Sequence, residues 1–277
     1  MDSLPTDDTP REAAACDSPV PCVEVLGGNQ ARTESLMLAG LELLLVARPA
    51  GTGAGGDLYC VHACGEPAVA KIVLLDVTGH GVRAASVAQA VHGLLHRHSA
   101  ATQPSQLLEL LNREFPRVAP PGILATSLCL VYDSGRSALR YANGGQPRLL
   151  FWSVRKRRWD SRGPGWDSSC GVPFGVTEGA CYEDEKLPLE PGDLLLLFSD
   201  GVLETTSPTG GLLQADGALR LAQECTDEIP KGFSPALSDL AEAFLKKLRS
   251  FHGRADFADD LTLLWIRRPV TLRQDAI

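Results

Sequence analysis

The chain has 277 residues, 44% of them hydrophobic, and a formal net charge of −8. That is enough apolar material for one large or two small domains, while the acidic balance argues against a nucleic-acid or anionic-membrane footprint, since either calls for a basic surface. No run of about 18 apolar residues is present, so no membrane span is expected, and an acidic start without the parts of a signal peptide makes the cytoplasm the expected location.

Residues 1–22 carry five acidic side chains against one basic, with much Pro, Ser and Ala, and read as a disordered acidic tail. No sensor domain is expected there, so control by a partner or by substrate supply is the expectation. Residues 23–38 read as a lead-in segment. From there Leu41 to Val46 is a strand, Ala50 to Gly56 a glycine loop, and Asp57 to Ala63 a second strand. The loop lacks the Gly-Lys-Ser/Thr of a phosphate cradle and opens no helix, so its expected role is to let Asp57 face inward. Gly65-Glu66-Pro67 turns the chain, and Ala68 to Leu75 returns as the strand that delivers Asp76, so that a hairpin brings Asp57 and Asp76 together.

After Gly79 and Gly81, residues 82–98 have helical apolar spacing, and a second helix runs from Pro104 to about Phe115. The two are expected to pack antiparallel across a sheet. Ile123 to Tyr132, Ala138 to Ala142 and Arg148 to Val154 form a meander closed by Arg155-Lys156-Arg157-Arg158, read as a solvated hairpin tip. Residues 160–170 read as a loop, and 179–185 as an exposed acidic stretch. Leu194 to Phe198 is a solidly apolar strand running into Ser199-Asp200-Gly201, which repeats the strand, Asp, Gly pattern around Asp76. Helices follow around 212–225 and 234–251, and Asp259-Asp260 opens the last core strand, Leu261 to Ile266. Residues 269–277 read as a short C-terminal end.

The eight cysteines form no Cys-x-x-Cys pair and read as reduced thiols. Cys60, His62 and Cys64 share one strand face, which suggests zinc, but no fourth ligand accompanies them, and buried free cysteine is the expectation. The aspartates are more informative. Asp57, Asp76, Asp200 and Asp259, with Asp260 alongside, all stand at ends of apolar strands. Carboxylates in such places are costly unless hydrogen-bonded or neutralised, and a cluster of them repels itself unless cations sit between. An all-oxygen set suits Mg²⁺ or Mn²⁺ better than Zn²⁺, and two such cations about 4 Å apart can activate water against a phosphoryl group.

Gly55-Gly56-Asp57, Asp76-Val77-Thr78-Gly79-His80-Gly81, Ala125-Thr126, Tyr141-Ala142-Asn143-Gly144-Gly145, Gly171-Val172-Pro173-Phe174-Gly175-Val176, Pro191-Gly192-Asp193, Ser199-Asp200-Gly201-Val202-Leu203-Glu204 and Asp259-Asp260-Leu261-Thr262 fall in a telling order. Over about residues 39–268 the chain resembles the metal-dependent PPM-type (protein phosphatase 2C) serine/threonine phosphatases, in their bacterial SpoIIE and RsbU-like branch. The resemblance implies an α+β fold: a four-layer α-β-β-α sandwich of two antiparallel sheets flanked by helices, with the metal site at one end of the sheets. It implies two divalent cations, Mn²⁺ or Mg²⁺, bridged by Asp76, with the Val77 carbonyl on the second, Asp200 and Asp259 on the first, and Asp57 holding water. His80 is a candidate proton donor, Asp260 a supporting residue, and Arg83 is near the motif without an assigned role. The pattern residue after Gly144-Gly145 is His, where this chain has Gln146, and a second acid often follows Gly-Gly-Asp, where it has Cys60. Hydrolysis of phosphoserine or phosphothreonine is implied, on a STAS-domain anti-sigma-factor antagonist in partner switching. The alternatives are a catalytically weak or inactive regulatory binding module of the same fold, and a phosphatase of small esters.

Overall fold

The computed structural model describes residues 23–27, 30–50, 55–64, 68–79, 81–163, 171–227, 229–230, 232–254 and 256–270. The expected acidic tail, the turn at 65–67, His80 and the end beyond 270 lie outside the described residues, as do 51–54 of the glycine loop and 164–170 of the loop before Gly171.

Two antiparallel six-stranded sheets make up the centre. The first has the order β1 (Val23–Gly27), β4 (Asp57–Cys64), β5 (Val69–Val77), β6 (Ala125–Asp133), β7 (Ala138–Gly144), β10 (Glu185–Pro188). The second has the order β2 (Arg32–Leu38), β3 (Leu41–Arg48), β12 (Leu261–Arg267), β11 (Leu194–Phe198), β8 (Leu149–Ser153), β9 (Arg158–Arg162). Helices α1 (Val82–Arg97) and α2 (Pro104–Glu114) cover the first sheet, and α3 (Gln214–Thr226) and α4 (Leu237–His252) the second. The expected four-layer sandwich is the observed one.

Three apolar layers follow from this stacking. Alternate residues of both sheets, such as Leu43, Leu45, Tyr59, Val61, Ile72, Leu74, Leu128, Leu195 and Leu264, fill the space between the sheets. The opposite faces pack under α1 and α2 or under α3 and α4, where Trp265 meets Trp159 and Phe244 edge-on. With both sheet faces buried, the central strands read as continuous apolar runs rather than as alternating ones.

Several details differ from the sequence expectation. The stretch read as a lead-in supplies an edge strand to each sheet, β1 against β4 and β2 against β3. The basic run does close a hairpin, as expected, but its returning arm β9 pairs with β8 as far as Arg162, with Trp159 opposite Trp152, where residues 160–170 read as a loop. Residues 179–185 are not simply exposed: Tyr182 is buried against Phe174, and β10 begins at Glu185. Near the C-terminal ends of the two N-terminal helices, Arg97 and His98 both pair with Glu114, at 2.6 and 2.7 Å.

Truncating a fully buried side chain between the sheets leaves a cavity that rigid strands cannot close. Leu195→Ala should therefore lower unfolding free energy by about 2–5 kcal/mol, read from urea melts of parent and variant; a loss under about 1 kcal/mol would contradict a close-packed central layer.

Candidate metal centre

The alternation that builds the central layer also places the acids. Tyr59, Val61 and Ala63 point between the sheets, so Asp57, two residues earlier, does too; Leu74 does the same for Asp76 and Leu128 for Thr126. Register then sets Asp57 opposite Asp76, and Asp76 opposite Thr126, across three neighbouring strands. From the other sheet, Leu195 and Leu197 lead to Ser199, and Leu264 leads back to Thr262 and Asp260. One end of an otherwise apolar core is thus lined with carboxylates and hydroxyls.

The two sheets are tied together within this layer. Ser199 Oγ donates to Asp57 Oδ2 at 2.7 Å and accepts from the Thr262 amide at 3.0 Å, while the Ser199 amide donates to the Thr262 carbonyl at 3.1 Å. The Asp260 carboxylate accepts from the amides of Ala50 (2.7 Å) and Gly56 (2.6 Å), clamping both ends of the glycine loop. It is therefore a loop anchor. Asp259 is half-buried and accepts from the Asp260 amide at 2.8 Å.

Close backbone approach fixes the loops that carry Val77 and Asp200. A Cβ on Gly56 would stand 2.6 Å from the Val77 carbonyl oxygen, and one on Gly201 would stand 2.1 Å from the Asp260 carbonyl oxygen. Beyond Val77, the Thr78 amide donates to the Leu124 carbonyl at 2.9 Å and Thr78 Oγ1 accepts from the Leu124 amide at 2.9 Å, so the loop after Asp76 is held against the start of β6.

The electrostatics follow from the crowding. Burial pushes Asp57 up to about 7, with Asp260 and Asp200 adding like charge against the pull of the Ser199 hydroxyl. Burial likewise pushes Asp76 up to about 9, reinforced by Asp57, Asp200 and Asp259. Asp200 is also raised, by burial and then by Glu204 and Asp259. Asp200 further favours the protonated form of Asp76 beside it, while Asp76 in turn favours the charged form of Asp200. Among the described residues no three acidic, His or Cys side chains already converge as a finished cation cage; the acids meet as neighbours whose crowding resists full ionisation. Such a layer calls for positive charge, and its oxygen-only chemistry fits a hard divalent cation.

Asp57, Asp76, Asp200 and Asp259 are therefore brought together, with the Val77 carbonyl next to Asp76 at the end of β5, whereas His80 lies outside the described residues. Cys60 and His62 instead line a small cavity with Lys71, Leu95, His96 and Ser99 on the helix side of the first sheet. Cys64's side chain lies outside the described residues, and no zinc-type cluster forms among those described. Sequence reasoning missed Ser199 as the cross-sheet link, although its place two residues beyond Leu197 signals an inward hydroxyl. It also missed Asn112, buried on α2, which accepts from the Gly175 amide at 3.2 Å and donates to the Thr177 carbonyl at 2.7 Å.

Residues 67–269 match the family model described as "Stage II sporulation protein E (SpoIIE)". Among curated proteins, the chain is 25% identical over 217 residues to phosphoserine phosphatase RsbU of Bacillus subtilis (strain 168), covering 78% of this chain and 60% of that protein. It is 27% identical over 157 residues to phosphoserine phosphatase RsbP of the same organism, covering 55% of this chain and 37% of that one. The chain thus spans about 60% and 37% of the lengths of these two relatives. Among solved structures, the RsbU and RsbW domains of Rv1364c from Mycobacterium tuberculosis superpose with a TM-score of 0.69 at 24% identity, over 84% of this chain and 61% of that one. The SiaA-PP2C domain of Pseudomonas aeruginosa gives 0.66 at 19%, over 81% and 84%. These likenesses show the fold.

Two outcomes follow from the crowded acids. A carboxylate whose folded pKa is raised binds a proton that the unfolded chain releases near pH 4, so stability falls as pH rises from there through about 7 and about 9. The melting temperature of metal-free protein should drop steadily from pH 5 to pH 9, and Asp76→Asn should raise it at pH 8 by on the order of a few °C; a parent that gains stability over that range would contradict the buried cluster. Gly201→Ala should displace the Asp259-Asp260 turn and cost about 1–3 kcal/mol, measured by denaturant unfolding.

Proposed function

The chain belongs to the SpoIIE family, and from that premise we propose that it is a metal-dependent protein serine/threonine phosphatase. The observation that carries the reading is the meeting of Asp57 and Asp76 from one sheet with Asp200 and Asp259 from the other at a single end of the sandwich. Asp76, the Val77 carbonyl, Asp200 and Asp259 would hold two divalent cations, Mn²⁺ or Mg²⁺, with Asp57 in support. Bound there, the cations supply Lewis acidity toward water and phosphoryl oxygens.

The chain's own residues do the rest. Ser199 holds Asp57 in place, Asp260 fixes the glycine loop, and the Thr78 to Leu124 bonds keep the Val77 carbonyl presented. In the hydrolysis, a water oxygen bonds to phosphorus, the bond to the serine or threonine oxygen breaks, and that oxygen takes up a proton. His80 is our candidate for delivering that proton. No side-chain nucleophile is required.

The relatives named phosphoserine phosphatase support a phosphoserine or phosphothreonine protein as substrate, and in this reading that substrate is a STAS-domain antagonist in bacterial partner switching. The same reading takes the protein to act in the cytoplasm, and no helix among the described residues is long and apolar enough to cross a membrane.

The test is hydrolysis of a generic phosphate ester and of a phosphoserine peptide, with Mn²⁺, with Mg²⁺ or with EDTA. Activity should need the cation and fall more than about 100-fold in Asp76→Asn and in Asp200→Asn, since even outer residues of such centres are worth 10–100-fold. A folded sample inactive with either metal would instead favour a regulatory binding module.

A further inference from the structure

Gln146 lies on the connection that carries the chain from β7 in one sheet to β8 in the other. Its backbone is fixed, because the Asn143 side chain accepts from its amide at 2.8 Å and donates to its carbonyl at 2.9 Å. Its side chain is not. The residue is only 4% exposed, yet among the described residues neither Nε2 nor Oε1 of its carboxamide meets a hydrogen-bond partner. A buried amide in that state forfeits hydration on both its donor and acceptor sides, and an apolar side chain of the same size would pack there without the loss.

Register shows where this residue stands. Gly145 bridges to Ser127, next to Thr126, which faces Asp76. In the other sheet Leu150 faces Leu196, with Gln146 four residues before the one and Asp200 four residues after the other, so the antiparallel pairing carries both to the same end. Gln146 thus stands at the same end of the sandwich as the acid layer, on the connection where the two sheets are joined. Ser127 Oγ is also buried and unpartnered, but it shares the helix-side face of Ala125 and Cys129 and looks away from the acids.

We propose that Gln146 is a positioning residue of the metal centre: its carboxamide holds ordered water against the acid layer, Nε2 donating and Oε1 accepting. A buried water needs two to four polar partners, and here the amide and the carboxylates supply them. The neutral amide offers a donor to the acids without bringing a further charge into a layer already crowded with them. This rests on the reading of that layer as a divalent-cation centre.

The test uses the full chain, scanning calorimetry without metal and titration calorimetry with Mn²⁺, for the parent, Gln146→Met and Gln146→His. Gln146→Met should melt at or above the parent, because it removes an unpaired buried amide, while its Mn²⁺ dissociation constant rises about 10-fold or more. Gln146→His keeps one donor and one acceptor and should recover most of that affinity. A Gln146→Met that melts well below the parent, or that takes up Mn²⁺ as tightly, overturns the proposal, as does a Gln146→His no better than Gln146→Met. A parent that takes up no Mn²⁺ overturns the metal reading and this inference with it.

Discussion

Carboxylates confined between two sheets are the constraint on which the rest of this structure depends. Over most of its length the inter-sheet space holds only apolar side chains, and at one end the inward positions become Asp57, Asp76 and Thr126 from one sheet and Ser199, Asp260 and Thr262 from the other. Charges so placed cannot be left bare. Contacts within the protein answer part of the demand: a hydroxyl for Asp57 and two backbone amides for Asp260. Asp76 is left among Asp57, Asp200 and Asp259, which raise its pKa, and that uncompensated negative charge is the physical reason positive charge suits the site.

The tight loops follow from the same crowding. For Asp260 to accept from both Ala50 and Gly56, the glycine loop must fold onto the sheet end, and for the Val77 carbonyl to stay presented, Gly56 must lie almost in contact with it. Gly201 plays the equivalent part against the Asp260 carbonyl on the second sheet. The recurring order of strand, Asp and Gly is a rule with two local causes: Gly201 is required by the close Asp260 carbonyl, whereas Gly79, with open space where a Cβ would stand, is required by its φ of +96°.

That rule is why the acids were legible in the sequence. Asp76 and Asp200 each follow an apolar run and precede a glycine turn, and the hairpin through 65–67 leaves little choice but to set Asp57 beside Asp76. What escaped notice has a different character. Ser199 reads as a turn former next to a prominent Asp, and its role depends on a strand from the other sheet, which no local pattern reports. Gln146 stood out only as a departure from a motif, and its buried, unpartnered state needs both sheets to be in place. The edge strands β1, β9 and β10 are short and partly polar, so period-2 patterning is weak in them, and only their partners β4, β8 and β7 define them.

The two halves of the site rest on different supports. On the second sheet Ser199, Thr262 and Asp260 are bonded to one another's backbones at the very ends of β11 and β12, so Asp200 is carried by the sheet itself. On the first sheet Asp76 and Val77 end β5, paired with Thr126 and Ala125, and a further support runs through loops. The Asn112 side chain on α2 accepts from Gly175 and donates to Thr177, Phe174 pairs with Ala125 in both directions, and Leu124 holds Thr78, one residue beyond Val77. A buried amide on a helix is therefore linked through three segments to the carbonyl presented beside Asp76. Val77 is thus held by its pairing in β5 and, through these loops, by the seating of α2, so helix packing and the strands that bear the acids both act on the geometry of this half.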